Sequence, residues 1–185
     1  MKVQCALLLA FLDLFECARI LGLIPIPSYS HQVVFQPLWK ELSLRGHQVT
    51  VLTTNPMNDT SLTNLTEIDL SFSYKFLEEK PAEIIGSGQL KAWSLGVQAF
   101  NSVADAQLRH HEVQRLIQSP DDGYDLVIAE YVLPAPLYFA RKFNCPYIGV
   151  ISTDGTNYIY QQIGNPAHSI IYPNSLMRVH GQSAF

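Results

Sequence analysis

Two residues far apart in the chain are the best suited to chemistry. His31 stands in Pro27-Ser28-Tyr29-Ser30-His31-Gln32-Val33-Val34-Phe35-Gln36, where an apolar run has ended and a helical period begins. Glu130 closes the run Tyr124-Asp125-Leu126-Val127-Ile128-Ala129-Glu130. An imidazole accepts a proton near neutral pH, and a neighbouring carboxylate fixes its tautomer and stabilises the resulting cation. Together they would make a general base with an orienting acid. With Ser30 as the helix cap, His31 falls in the first turn, where the helix dipole disfavours imidazolium and keeps the ring neutral. Both residues also have plain structural readings: a lone histidine at a helix start can serve packing, and Glu130 can be solvated or paired with a cation.

Whether the two meet depends on the elements that carry them. Residues 19–27 form a short apolar run ended by prolines, which predicts a buried strand. Val34, Phe35, Leu38 and Leu42 then recur as a helical stripe, Arg45-Gly46 supplies a stop, and residues 48–53 predict a second strand. Strand, helix and strand in so short a span is a βαβ unit with a right-handed crossover. Residues 55–88 are less regular, with a strand expected at 71–76 and a break at Gly86-Ser87-Gly88. Trp93, Val97, Phe100, Ala104 and Leu108 predict a long helix from Gln89, read as core packing. A turn at 119–123 leads to a strand over 124–129, a helix over about 136–143 and a strand over 147–152. The expected architecture is α/β, a Rossmann-like, mainly parallel sheet with flanking helices. In such a sheet the carboxyl ends of the strands share one edge, which would gather His31, Glu130, Thr153 and Asp154 on one rim.

Composition narrows the alternatives. The 185 residues are 48% hydrophobic and 15% charged, enough for one packed domain, and a net charge of −4 leaves no basic stripe for nucleic acid. Residues 1–18 read as a signal peptide, one early lysine followed by the apolar run Cys5 to Leu12, although Asp13 and Glu16 fit that pattern poorly. The expected domain is then 19–185. Asn58-Asp59-Thr60 and Asn64-Leu65-Thr66 are glycan-acceptor triplets, consistent with secretory entry. Removal of the leader would take Cys5 and Cys17 and leave Cys145 alone, read as a small buried side chain. His110-His111-Glu112 lacks the spacing of a zinc helix, so no metal site is expected. No phosphate-binding glycine pattern follows the first strand, no nucleophile elbow surrounds Ser28 or Ser30, and His47 reads as a dipole partner or surface residue.

The blocks RILGLIPIPSYSHQVVFQPLWKELSLRGHQVTVLTTNP, YDLVIAE, FNCPYIGVIST and GNPAHSIIYPN occur in order along nearly the whole chain and closely resemble UDP-glycosyltransferases, especially the insect branch. The resemblance implies the N-terminal domain of a GT-B fold, which holds a lipophilic acceptor, while a C-terminal domain holds UDP-sugar. It implies inverting hexosyl transfer with His31 as base and Glu130 as its partner, at a position where many relatives carry aspartate. Tyr29, Ser30 and Phe35 become the expected acceptor contacts, and Ser152 and Thr153 the expected donor-proximal residues. The partners implied are a small lipophilic acceptor and UDP-sugar as co-substrate, without a further cofactor. Residence in the endoplasmic reticulum lumen, association into homo- or hetero-oligomers, and a donor domain and membrane anchor beyond this chain belong to the same expectation. The alternative is a non-catalytic product that binds hydrophobic ligands or pairs with a full-length relative.

Overall fold

Successive residues of a strand face opposite sides of the sheet, so unbroken apolar runs such as Ile20-Leu21-Gly22-Leu23 must be covered on both faces. The structure, a computed structural model, describes residues 17–78, 89–120, 123–131, 136–155 and 157–166. Its strands are β1 Arg19–Leu23, β2 Gln48–Thr53, β3 Leu65–Asp69, β4 Leu126–Glu130 and β5 Tyr147–Val150. All neighbours pair in parallel, in the order β3-β2-β1-β4-β5. The helices are α1 Tyr29–Val33, α2 Gln36–Leu44, α3 Lys75–Glu78, α4 Gln89–Leu108, α5 His111–Gln118, α6 Pro136–Lys142 and α7 Asn157–Gln162, with a 3-10 turn at Ser71–Tyr74. This is the Rossmann-like α/β arrangement expected of a GT-B amino-terminal domain.

Two buried clusters line the sheet. Leu21, Leu23, Val127 and Ala129 pack on one side with Val113 and Leu116 of α5 and Phe139 and Phe143 of α6 or its end. Ile20, Val49, Val51 and Ile128 pack on the other with Phe35 and Trp39. A Cβ at Gly22 would lie 3.0 Å from the Trp39 ring, so the glycine is what lets that ring lie flat on β1.

Several sequence expectations are corrected. The helix expected from Val33 is split at Val34 and Phe35, because Pro37 lacks an N–H and favours a helix start, here the first turn of α2. The buried stripe of α2 is Phe35, Trp39 and Ser43, while Val34 and Leu38 are exposed. Among the described side chains of α4 the buried positions are Ala99, Val103 and Gln107, with Val97 and Leu108 exposed. Gln107 sets that face: its Nε2 donates to Pro25 O at 2.8 Å and to Ser73 Oγ at 3.0 Å. The strand expected at 71–76 is instead a 3-10 turn running into α3, and the third strand lies earlier, at β3. Asp69 Oδ1 accepts the Ser71 N–H at 2.8 Å and Ser73 Oγ donates to Leu70 O at 2.6 Å, local bonds that compete with a sheet ladder. The expected leader, but for its last two residues, the break at 86–88 and much of the last resembling block lie outside the described residues.

Candidate active site

The sheet order reverses its direction of winding between β1 and β4, the kind of switch point at which the carboxyl ends of two strands open a crevice. His31 follows β1 and Glu130 is the last residue of β4, so the topology alone carries both to this crevice.

What holds His31 in place is a polar clamp on the segment between β1 and α1. Pro25 and Pro27 bring no N–H groups into this buried loop, but its carbonyls need donors. Gln32, 2% exposed, donates Nε2 to Ile24 O at 2.9 Å and to Ile26 O at 2.8 Å, and its Oε1 accepts the Thr53 hydroxyl at 2.8 Å. Gln107 takes the Pro25 carbonyl, and Thr54 Oγ1 reaches Ile26 O at 3.3 Å. With its neighbour Gln32 tied down, His31 has little freedom except at its ring.

That ring meets Glu130. His31 Nδ1 lies 2.5 Å from Glu130 Oε1, and the two side chains are 18% and 0% exposed. Ser152 completes a triangle, its Oγ 2.7 Å from Glu130 Oε1 and 2.8 Å from His31 Nδ1. Glu130 Oε2 is buried with no hydrogen-bond partner among the described residues. A carboxylate oxygen and an unprotonated ring nitrogen are both acceptors and would repel at this separation, so a proton lies between them. With Glu130 ionised, that proton is on Nδ1, and Nε2 carries the lone pair. The arrangement therefore presents a ring nitrogen able to take a proton, backed by a buried anion that gains attraction as the ring becomes cationic.

The helix dipole expected to keep His31 neutral is lacking. Ser28, not Ser30, is the cap residue of α1, without a side-chain cap bond, and His31 is the third residue of a five-residue helix. So short a helix has almost no dipole, and the tautomer is set by Glu130 instead. Ser30 Oγ pairs with Ser28 Oγ at 3.1 Å on the surface. Tyr29 is 63% exposed at the rim, whereas Phe35 is 7% exposed and packs in the core with Ile24 and Trp39. Thr153 and Asp154 are exposed beyond β5, with Asp154 accepting the Tyr160 hydroxyl over the buried Gly155. His47 accepts the Ala18 N–H at 3.2 Å, and Asn58 and Asn64 are both exposed. The clamp residues Gln32, Thr53, Thr54 and Gln107 were not foreseen. Their one sequence signal is a glutamine on a helical face that is otherwise apolar, as at Gln107 on the face of Ala99 and Val103.

Fold and site together define an α/β domain of the Rossmann kind with a histidine and a carboxylate joined at its switch point. Comparison with known proteins then shows what the chain is similar to. No family model and no solved structure matches the chain. Curated relatives do. An ecdysteroid UDP-glucosyltransferase of Lymantria dispar multicapsid nuclear polyhedrosis virus is 32% identical over 85% of this chain and 33% of its own length. One of Spodoptera littoralis nuclear polyhedrosis virus is 29% identical over 84% and 33%. UDP-glycosyltransferase UGT4 of Dactylopius coccus is 28% identical over 80% and 29%. The chain is a homologue of the UDP-glycosyltransferases over most of its own length, and it spans about a third of the length of these relatives.

Proposed function

We propose that this chain is the acceptor-binding part of a UDP-glycosyltransferase in which His31 is the general base and Glu130 orients it. The acceptor O–H gives its proton to His31 Nε2 as its oxygen attacks the anomeric carbon of the sugar. The bond from that carbon to the UDP oxygen breaks, UDP leaves with the electron pair, and configuration at the carbon inverts. Glu130 keeps the proton on Nδ1 so that Nε2 is free, then stabilises the imidazolium. The observation that carries this reading is the 2.5 Å contact between His31 and a carboxylate with no solvent exposure. A buried charge held against one partly exposed ring is costly as mere packing and useful as a base.

The names of the relatives support an acceptor class: two of the three proteins just named are called ecdysteroid UDP-glucosyltransferases, which favours a lipophilic alcohol as acceptor and glucose as sugar. Tyr29 and Ser30 at the rim are assigned to the acceptor and Thr153 to the donor side, whereas Phe35 is committed to the core with Ile24 and Trp39. Lumenal residence is part of the proposal. A leader cut after Ala18 would free an amine at Arg19, whose backbone nitrogen already lies 2.7 Å from Asp125 Oδ2, so the new charge would have a partner waiting.

The test joins this chain to the remaining two-thirds of one of these relatives and measures glucose transfer from UDP-glucose to a lipophilic alcohol. Inverted product is expected, with His31→Ala lowering kcat by about 10²–10⁴-fold while acceptor binding is kept. Retained turnover in the variant would remove His31 from the mechanism. Binding of the alcohol without turnover by the intact chimera would favour a non-catalytic ligand carrier.

A further inference from the structure

Ser152 lies two residues past Val150, the β5 residue in register with Glu130. The Tyr131 N–H donates to Val150 O at 2.8 Å and ties the ends of β4 and β5 together, so the position of Ser152 relative to Glu130 is fixed by the sheet. Proton counting assigns the bonds of the triangle. Glu130 Oε1 only accepts, the neutral ring has one N–H, and the serine has one O–H. Nδ1–H and Oγ–H both donate to Oε1, and the serine lone pair, 2.8 Å from Nδ1, takes a share of the ring proton. The serine is thus the only side chain besides His31 that hydrogen-bonds the Glu130 carboxylate among the described residues, since Oε2 has no partner. A buried carboxylate with one satisfied oxygen would turn about its last bond if only the ring held it. The second donor prevents that turn.

We infer that Ser152 is a positioning residue of the His31–Glu130 pair, holding Oε1 on the ring and sharing the Nδ1 proton, which rests on the reading of His31 as base. This is a different role from contact with the sugar donor. A donor contact needs the hydroxyl free to face UDP-sugar, whereas here both its hydrogen and a lone pair are directed at the pair.

The distinguishing measurement is proton and nitrogen NMR of this chain without substrate, with the ring signal assigned through its loss in His31→Asn. A far-downfield Nδ1–H resonance, protected from exchange with water, is expected. In Ser152→Ala it should move and exchange about tenfold faster or vanish, and Ser152→Thr, which keeps the hydroxyl, should restore it. Ser152→Cys, a weaker donor, should lie between, and stands in if the alanine variant does not fold. An identical resonance in the alanine or cysteine variant would overturn the inference, as would absence of the resonance from the parent chain. In the chimeric enzyme Ser152→Ala should lower kcat and leave KM for UDP-glucose unchanged; raised KM with unchanged kcat would make Ser152 a donor contact instead. Because the resonance is read without turnover, an inactive chimera would count against the transfer reading and leave this one standing.

Discussion

Glu130 reaches the His31 ring with a carboxylate one methylene longer than aspartate, from the end of a strand where its side chain is fully buried. Since Oε1 is already at 2.5 Å from Nδ1, the stem length is matched to this backbone spacing. Shortening it should matter. Glu130→Asp would withdraw the carboxylate by roughly 1.5 Å, beyond good hydrogen-bond range of both His31 and Ser152. The expected outcome is a loss of the Nδ1–H resonance and a fall in kcat of about 10-fold or more; an unchanged resonance would mean that the backbone closes the gap. Both members of the pair were legible in the sequence because each stands where an apolar run gives way to a polar residue. Ser152 was legible only as the end of the last expected strand and, through the resemblance, as a donor-proximal residue, since nothing in its spacing distinguishes a hydroxyl turned to the pair from one turned to a ligand. Gln32 was hidden for a similar reason: its role is to satisfy backbone carbonyls, and backbone need leaves no mark on composition.

At the scale of elements, four of the five strands were legible, β3 was missed in favour of 71–76, and helix phase was displaced. β2 stands where its alternating apolar residues put it, β1 stops at Leu23 before the prolines instead of running to residue 27, and β4 is displaced toward Glu130. The stripes on α2 and α4 were displaced, because Pro37 restarts one helix and the polar Gln107 turns the other toward the loop it holds. The first residue of β1 carries a further cross-strand device. Arg19 binds Asp125 through its backbone N–H at 2.7 Å and through Nη2 at 2.9 Å, joining the starts of β1 and β4. The guanidinium and then the backbone bond hold the Asp125 carboxyl below its ordinary range. A carboxyl so lowered adds stability above the unfolded value near 3.9, and that stability fades as pH falls through the lower folded value. Both side chains are nearly half exposed, so solvent screening limits the contribution to about 0.5 kcal/mol. Asp125→Asn should therefore be slightly less stable than the parent in urea melts at pH 6, with the difference shrinking as the pH is lowered below the ordinary carboxylate range. A difference that does not shrink with falling pH would assign the effect to packing and not to charge.

For the whole molecule, one topological fact joins sequence to chemistry. Because the sheet grows from β1 toward β2 and β3 on one side and toward β4 and β5 on the other, residues 99 apart in sequence meet at its middle. The parallel order was foreseeable from two βαβ units, and so was the convergence of His31 and Glu130 on one rim; the close fit of ring to carboxylate, a matter of side-chain reach, was not. If the pair works as one base, its members cannot contribute independently. The direct measurement is a double-mutant cycle on kcat in the chimeric enzyme, using His31→Ala, Glu130→Gln and both together. Each single change should slow transfer, and the double variant should be no slower than His31→Ala alone. Losses that multiply, or a Glu130→Gln enzyme as fast as the parent, would contradict the pair's acting as one base.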